Sequence, residues 1–152
     1  MPIGTCRLCQ LQNVELRDSH FMSAGFYKIA RDESRSNPNP VLVSEDVSMI
    51  SSEQAKDYLL CAECEDRFNK GGEDWVLKNC WHNETEFPLR SALVASQPSP
   101  LSSPDFTIFE GAAVPGAEPD KLVYFAASIF WRAAAHDWIF MRQKGNDRGR
   151  QE

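Results

Sequence analysis

Two Cys-x-x-Cys pairs, Cys6/Cys9 and Cys61/Cys64, are the residues of this chain best suited to chemistry. Each pair sets two soft thiolate donors on one tight turn. Brought together, the pairs supply four sulfur ligands, the tetrahedral set that zinc takes at structural sites. The expected cofactor is therefore a structural Zn ion held by Cys6, Cys9, Cys61 and Cys64. The stretch between the pairs is longer than a small zinc ribbon encloses, so it should carry something besides the metal, and it contains His20. The fifth cysteine, Cys80, has no partner at ligand spacing and reads as a small buried residue.

The elements that must position these residues follow from hydrophobic period and breakers. Val14-Glu15-Leu16-Arg17 alternates like a strand running toward His20. Residues 26–31 suit a short helix, and the Ser, Asn and Pro content of 32–40 suits a loop. Val41-Leu42-Val43 reads as a further strand. Ser51-Ser52-Glu53-Gln54 resembles a helix start leading to Tyr58-Leu59-Leu60. The second Cys pair should then open a helix that carries Phe68 and Asn69, with Gly71-Gly72 bending it before the apolar rhythm resumes at Trp75. Phe68, Trp75 and Trp81 are expected to close a core below the metal, and His82 to sit at the surface.

Composition draws the larger boundaries. Residues 96–104, rich in Pro and Ser, should be a surface connection between a zinc-binding module over 1–95 and a final unit over 105–152. In that unit Phe106-Thr107-Ile108-Phe109 favours a strand, and Asp120 is placed to cap a helix from Lys121 to about Lys144. Apolar residues cover more than one face of this helix, which implies burial against the module; the competing reading is a surface for a protein partner or homodimer through 121–144. Arg132 and His136 lie one turn apart on it as a candidate polar pair. The fold class is accordingly α+β: a small zinc-stapled ββα module followed by a long C-terminal helix packed on it.

Charge limits function. The 152 residues carry 22 acidic against 16 basic side chains, a net charge of −6, so the chain lacks the cationic surplus that nonspecific phosphate-backbone binding draws on. No apolar run is long enough to span a bilayer and no apolar leader follows a basic start, so no membrane is expected and the location reads as cytoplasmic. In that setting paired cysteines bind metal rather than form disulfides.

The order of Cys6-Arg7-Leu8-Cys9, then Ser19-His20-Phe21, then Leu59-Leu60-Cys61-Ala62-Glu63-Cys64-Glu65 resembles the HNH or His-Me finger endonucleases built on a zinc-knuckle, treble-clef-like scaffold. It is also similar to bacterial HNH-like proteins with a Ser-His motif, a Cys-Glu pair and a C-terminal Trp-Arg helix. The resemblance implies DNA as substrate and His20 as general base, with Mg or Mn polarising the phosphate. Where the family carries an acidic residue before the His, this chain has Ser19, with Asp18 one residue earlier. Where the family ends in His or Asn after the second pair, Glu65 stands, with Asn69 one turn on. The family's middle Asn is replaced by Lys56 and Asp57. The enzyme reading expects a second, hard cation near His20, Asp18 or Glu65 and a basic groove from Arg7, Arg17, Lys28 and Arg31. The alternative, a noncatalytic zinc module that mediates protein–protein interaction, expects apolar residues of the C-terminal helix to remain exposed.

Overall fold

The computed structural model describes residues 1–29, 31, 36, 38, 39, 41–43, 48–50, 54–81 and 85–138. The alternating segment forms β2 (Val14–His20), the middle strand of an antiparallel sheet between β1 (Ile3–Gly4) and β5 (Lys56–Cys61). Register runs from Leu16 opposite Cys61 to His20 opposite Lys56, with a slip between Arg17 and Asp18. The extra residue is Leu59 of β5, and Leu59 and Leu60, adjacent on that strand, are both buried; on β2 the buried residues are Leu16 and Ser19. Tyr58-Leu59-Leu60, placed after a helix start by the sequence, is strand. The start itself, at 51–53, lies outside the described residues, as do most of 32–40 and His82. Val41–Val43 forms β3 and pairs antiparallel with β4 (Ser48–Ile50), and α1 (Ala24–Ile29) lies between the two sheets in sequence.

Beyond β5 the chain turns directly into α2 (Ala62–Phe68), passes through a π-helical turn at Asn69–Glu73 and continues as α3 (Asp74–Asn79). The bend expected at Gly71-Gly72 is this turn. It exists to let α5 (Pro119–Ala135) approach: a Cβ on Gly72 would sit 2.6 Å from the Lys121 carbonyl oxygen and 2.8 Å from the Phe125 Cβ, and one on Gly71 would meet the Tyr124 ring. Gly72→Ala is therefore expected to cost about 2 kcal/mol, because the obstacle is backbone that cannot rotate away. In thermal unfolding this corresponds to a fall in Tm of roughly 4–8 °C. A variant as stable as wild type would show that α5 does not sit this close.

Helix α5 differs from expectation at both ends. Pro119 occupies its first turn, where a preset φ and a missing N–H are no handicap, and Glu118 rather than Asp120 stands at the N-cap, with no side-chain capping bond. At the other end His136 is extended (φ −154°, ψ 144°), so the helix stops nine residues short of Lys144, and residues 139–152 lie outside the described set. The Trp138 indole N–H donates to the Arg132 carbonyl at 2.7 Å and satisfies one of the end carbonyls. Phe106-Thr107-Ile108-Phe109 is not a strand. Its backbone is bonded by neighbouring serines instead: the Ser99 N–H donates to the Ile108 carbonyl (2.7 Å), and the Ile108 N–H donates to Ser102 Oγ (3.0 Å). Helix α4 (Pro88–Ala95), not foreseen, precedes this loop.

Two cores hold the layers together. One joins Cys6, Leu16, Leu59, Leu60, Cys61, Cys64 and Phe68, with Tyr124, Trp131 and Trp138 packed on it from α5 and its end. The other joins Trp75, Val76 and Phe125, with Phe26, Leu89, Ile129 and Cys80 against it. Cys80 is half-buried and free, and burial pushes its thiol pKa up. Trp81 stacks on Phe87 at 6.3 Å instead of joining Phe68 and Trp75. The architecture is α+β, a ββα module carrying a cysteine cluster with a long C-terminal helix packed across it.

Candidate metal centre and its buried arginine

The first cysteine pair sits on a knuckle closed by the Cys6 N–H to the Leu11 carbonyl and the Gln10 N–H to the Cys6 carbonyl, both 2.9 Å. Gln10 takes a left-handed conformation (φ 62°) to complete the turn, at a cost of about 1 kcal/mol for a residue other than glycine. The Arg7 N–H donates to the Leu59 carbonyl at 3.0 Å, so the knuckle is docked on β5, the strand that leads to the second pair. Cys61 ends that strand and is the N-cap of α2, and Cys64 falls in the first turn.

These placements bring the four Sγ atoms within 4.8 Å of one another. A zinc–sulfur bond of about 2.3 Å implies a tetrahedron with edges of about 3.8 Å, and Cys9 and Cys61 Sγ are 3.8 Å apart. The set can hold a metal ion such as zinc, and among the described residues no other group of three or more His, Cys, Asp or Glu converges in this way. Cys6, Cys61 and Cys64 are buried, while Cys9 is exposed. Burial works to raise the Cys6 pKa, but backbone N–H groups of Cys61, Cys9 and Leu8 outweigh it and bring the thiol down to about 6. Cys61 and Cys64 are pushed up, by burial first and by the neighbouring thiols next. Metal binding would release the protons of the thiols that ligate it.

Beside the cysteines lies a buried polar cluster. Ser19, fully buried, donates to Glu65 Oε2 at 2.7 Å. Glu65 Oε1 lies 4.0 Å from Arg132 Nη2, and Arg132 Nη1 lies 2.5 Å from Glu73 Oε1. The Arg132–Glu73 approach is off the line of a hydrogen bond, so it is an ion contact, and Arg132 Nε has no hydrogen-bond partner among the described residues. Arg132 is 1% exposed and Glu73 4%, and the Phe68 ring lies 4.7 Å below the guanidinium. Sequence reading paired Arg132 with His136. The structure separates them, because the helix ends between the two and His136 Nε2 contacts Asp57 Oδ2 at 3.0 Å. Glu73 was not singled out at all. Its one visible signal is a carboxylate opening the apolar run at Trp75.

The other sequence candidates divide over two faces. Asp18 is ion-paired with Lys56, and its carboxylate holds the Lys56 ammonium pKa up. His20 ends β2, half-buried, with its ring 6.4 Å from that of Tyr27. Strand alternation sends Asp18 and His20 to the face opposite Ser19, away from Glu65. Asn69 lies in the π-helical turn, its N–H directed at the carbonyls of Glu65 and Asp66. Of the basic residues, Arg7 lines a cleft with Ala134, Ala135, His136 and Asp137, while Arg17 donates to Met1 Sδ at 3.3 Å.

No described helix is long and apolar enough to cross a membrane. No protein-family model matches the chain, and neither a curated protein nor a solved structure matches it.

Proposed function

We propose that this protein is a noncatalytic zinc-binding module whose C-terminal helix docks a protein partner. The observation that carries the reading is the outward face of α5. Val123 is 67% exposed, Phe130 77% and Leu122 40%, and Ala126, Ala127, Ala133 and Ala134 beside them are also exposed. This corrects the expectation of a helix buried on more than one face. Only Phe125, Ser128 and Arg132 are buried along it. A contiguous apolar surface on a rigid helix is what a partner interface presents. Behind it, Arg132 and the two cores fix the helix to the metal module, so the cluster serves as a staple for the platform.

The endonuclease reading rests on the order of knuckle, strand and helix and on His20. It asks Asp18 and Glu65 to hold magnesium or manganese. In the fold Asp18 is engaged by Lys56, and Glu65 accepts from Ser19 and faces the Arg132 guanidinium, a cation that opposes a second cation beside it. The net charge of −6 also works against DNA capture by this chain.

One experiment separates the readings. The zinc-loaded, folded chain is expected to bind a hydrophobic dye such as anilinonaphthalene sulfonate, with most of the signal lost in Phe130→Asp, and to leave supercoiled DNA intact in magnesium or manganese. Dye binding indifferent to Phe130→Asp would remove the interface. Metal-dependent nicking lost in His20→Ala would install the hydrolase in its place.

A further inference from the structure

We infer that the outward face of α5 is a self-association surface, covered by the same face of a second copy running antiparallel to it. The inference rests on the interaction-module reading and names the partner. Its basis is how large and small side chains are distributed. At 100° per residue, Leu122, Val123, Ala126, Ala127, Phe130, Ala133 and Ala134 fall on one continuous sector with Phe130 at its centre, and every one of them is exposed. In an isologous antiparallel pair, residues equally far from the two-fold axis along the helix face each other. An axis level with residue 128 brings Leu122 within one residue's rise of the partner's Ala133, and Val123 within one residue's rise of the partner's Ala134, each pair on the same side of the face. Phe130 then falls between the partner's Ala126 and Ala127. Each large side chain on the face meets alanine, and none meets another large one. This is the interdigitation that close packing of two helices needs. An unrelated partner gives no reason for the sizes on this one helix to match about a single level.

Charge agrees with the same axis. The sector from Leu122 to Ala134 holds no ionisable side chain, so the net charge of −6 does not act within the contact. The antiparallel sense sets opposite helix dipoles side by side. It also brings the partner's Asp120 level with residue 136, where the cleft at the end of α5 holds one cation, Arg7, and one carboxylate, Asp137, so charge there neither favours nor opposes the pairing. Area sets the strength. The helix is about 25 Å long, and covering this face on two copies would bury on the order of 1,000 Å², at the lower edge of specific association. The dimer is accordingly concentration-dependent, forming in the micromolar range or above.

The test is sedentation of the zinc-loaded full chain by analytical ultracentrifugation across that range, with thermal unfolding to confirm that each variant is folded. Wild type is expected to move from one-chain to two-chain mass as concentration rises, and Phe130→Asp to stay at one-chain mass. Ala126→Phe sets Phe against Phe and is expected to weaken association at least about tenfold. Phe130→Ala, which removes the knob, is expected to do the same. The double variant Phe130→Ala/Ala126→Phe restores a large residue opposite a small one and is expected to recover most of the loss. A wild type that is monomeric throughout overturns self-association. If that monomer still binds dye through Phe130, the interaction-module reading stands without it, and if it does not, both fall. A dimer indifferent to Phe130→Asp lies on another surface and overturns the inference. Single variants that weaken a dimer which the double variant fails to recover overturn the antiparallel pairing.

Discussion

Removing the metal from the zinc-loaded protein, or making Cys64→Ser, is expected to unfold the module that runs from the first knuckle through α2. Cys6, Cys61 and Cys64 are themselves members of the first core, so the site and the core are not separate structures. The helix they anchor, α2, has seven residues, too short to persist in water without tertiary support. The knuckle is held to β5 by the Arg7–Leu59 bond, and β5 is held to β2, so loss of the fourth ligand is felt across the sheet. Binding of structural zinc by four ligands contributes on the order of 10 kcal/mol. That matches or exceeds the whole stability of an ordinary domain. A chromogenic chelator assay should release one zinc per chain from wild type. Near-ultraviolet circular dichroism from Trp131 and Trp138, which pack on this core, should collapse with release. Cys80→Ser, away from the cluster, should change neither. A metal-free chain that kept its near-ultraviolet spectrum and its Tm would show that the cysteines are not a staple.

What could be read before folding was what is local. The Cys-x-x-Cys spacing is a property of one turn, and the 14–17 alternation is a property of one strand, so both survive as written. The failures are places where a local signal has two tertiary outcomes. Phe106-Thr107-Ile108-Phe109 has strand propensity, but propensity does not reveal that Ser99, Ser102 and Ser103 will take its backbone groups. In α5, apolar residues on more than one face suggested burial against the module, and the module covers one face only. The period could not say that Phe125 would be in and Phe130 out. Where the functional candidates come to lie depends on the same kind of tertiary choice. His20 and Ser19 are neighbours in sequence, and the way β2 packs on α2 puts Ser19, not His20, on Glu65. Arg132 and Glu73 lie far apart along the chain, and only the bend at Gly71-Gly72 lets one reach the other.

That pair yields the other large effect. Arg132→Met keeps an unbranched side chain on the Phe68 ring but leaves Glu73, 4% exposed, with no cation to offset its desolvation. Breaking one partner of a buried pair costs about 3–5 kcal/mol. The reverse change, Glu73→Gln, leaves the 1% exposed guanidinium facing only Glu65 at 4.0 Å and should cost a similar amount. The double variant Arg132→Met/Glu73→Leu removes both charges together. It should fall within about 1–2 kcal/mol of wild type on either side, since a buried ion pair seldom outperforms apolar residues of like size. The cycle is thus strongly non-additive, and urea denaturation at saturating zinc measures it directly. Exposure of α5 supplies the functional half of the argument. If Arg132 is the bolt that holds the helix on the module, Arg132→Met should free Trp131 and Trp138 from the metal core, red-shifting tryptophan emission before global unfolding, while the double variant keeps the wild-type spectrum. Additive single and double variants, each within about 1 kcal/mol of wild type, would mean that Arg132 and Glu73 are neighbours without coupling, and that α5 is held by its aromatic contacts alone.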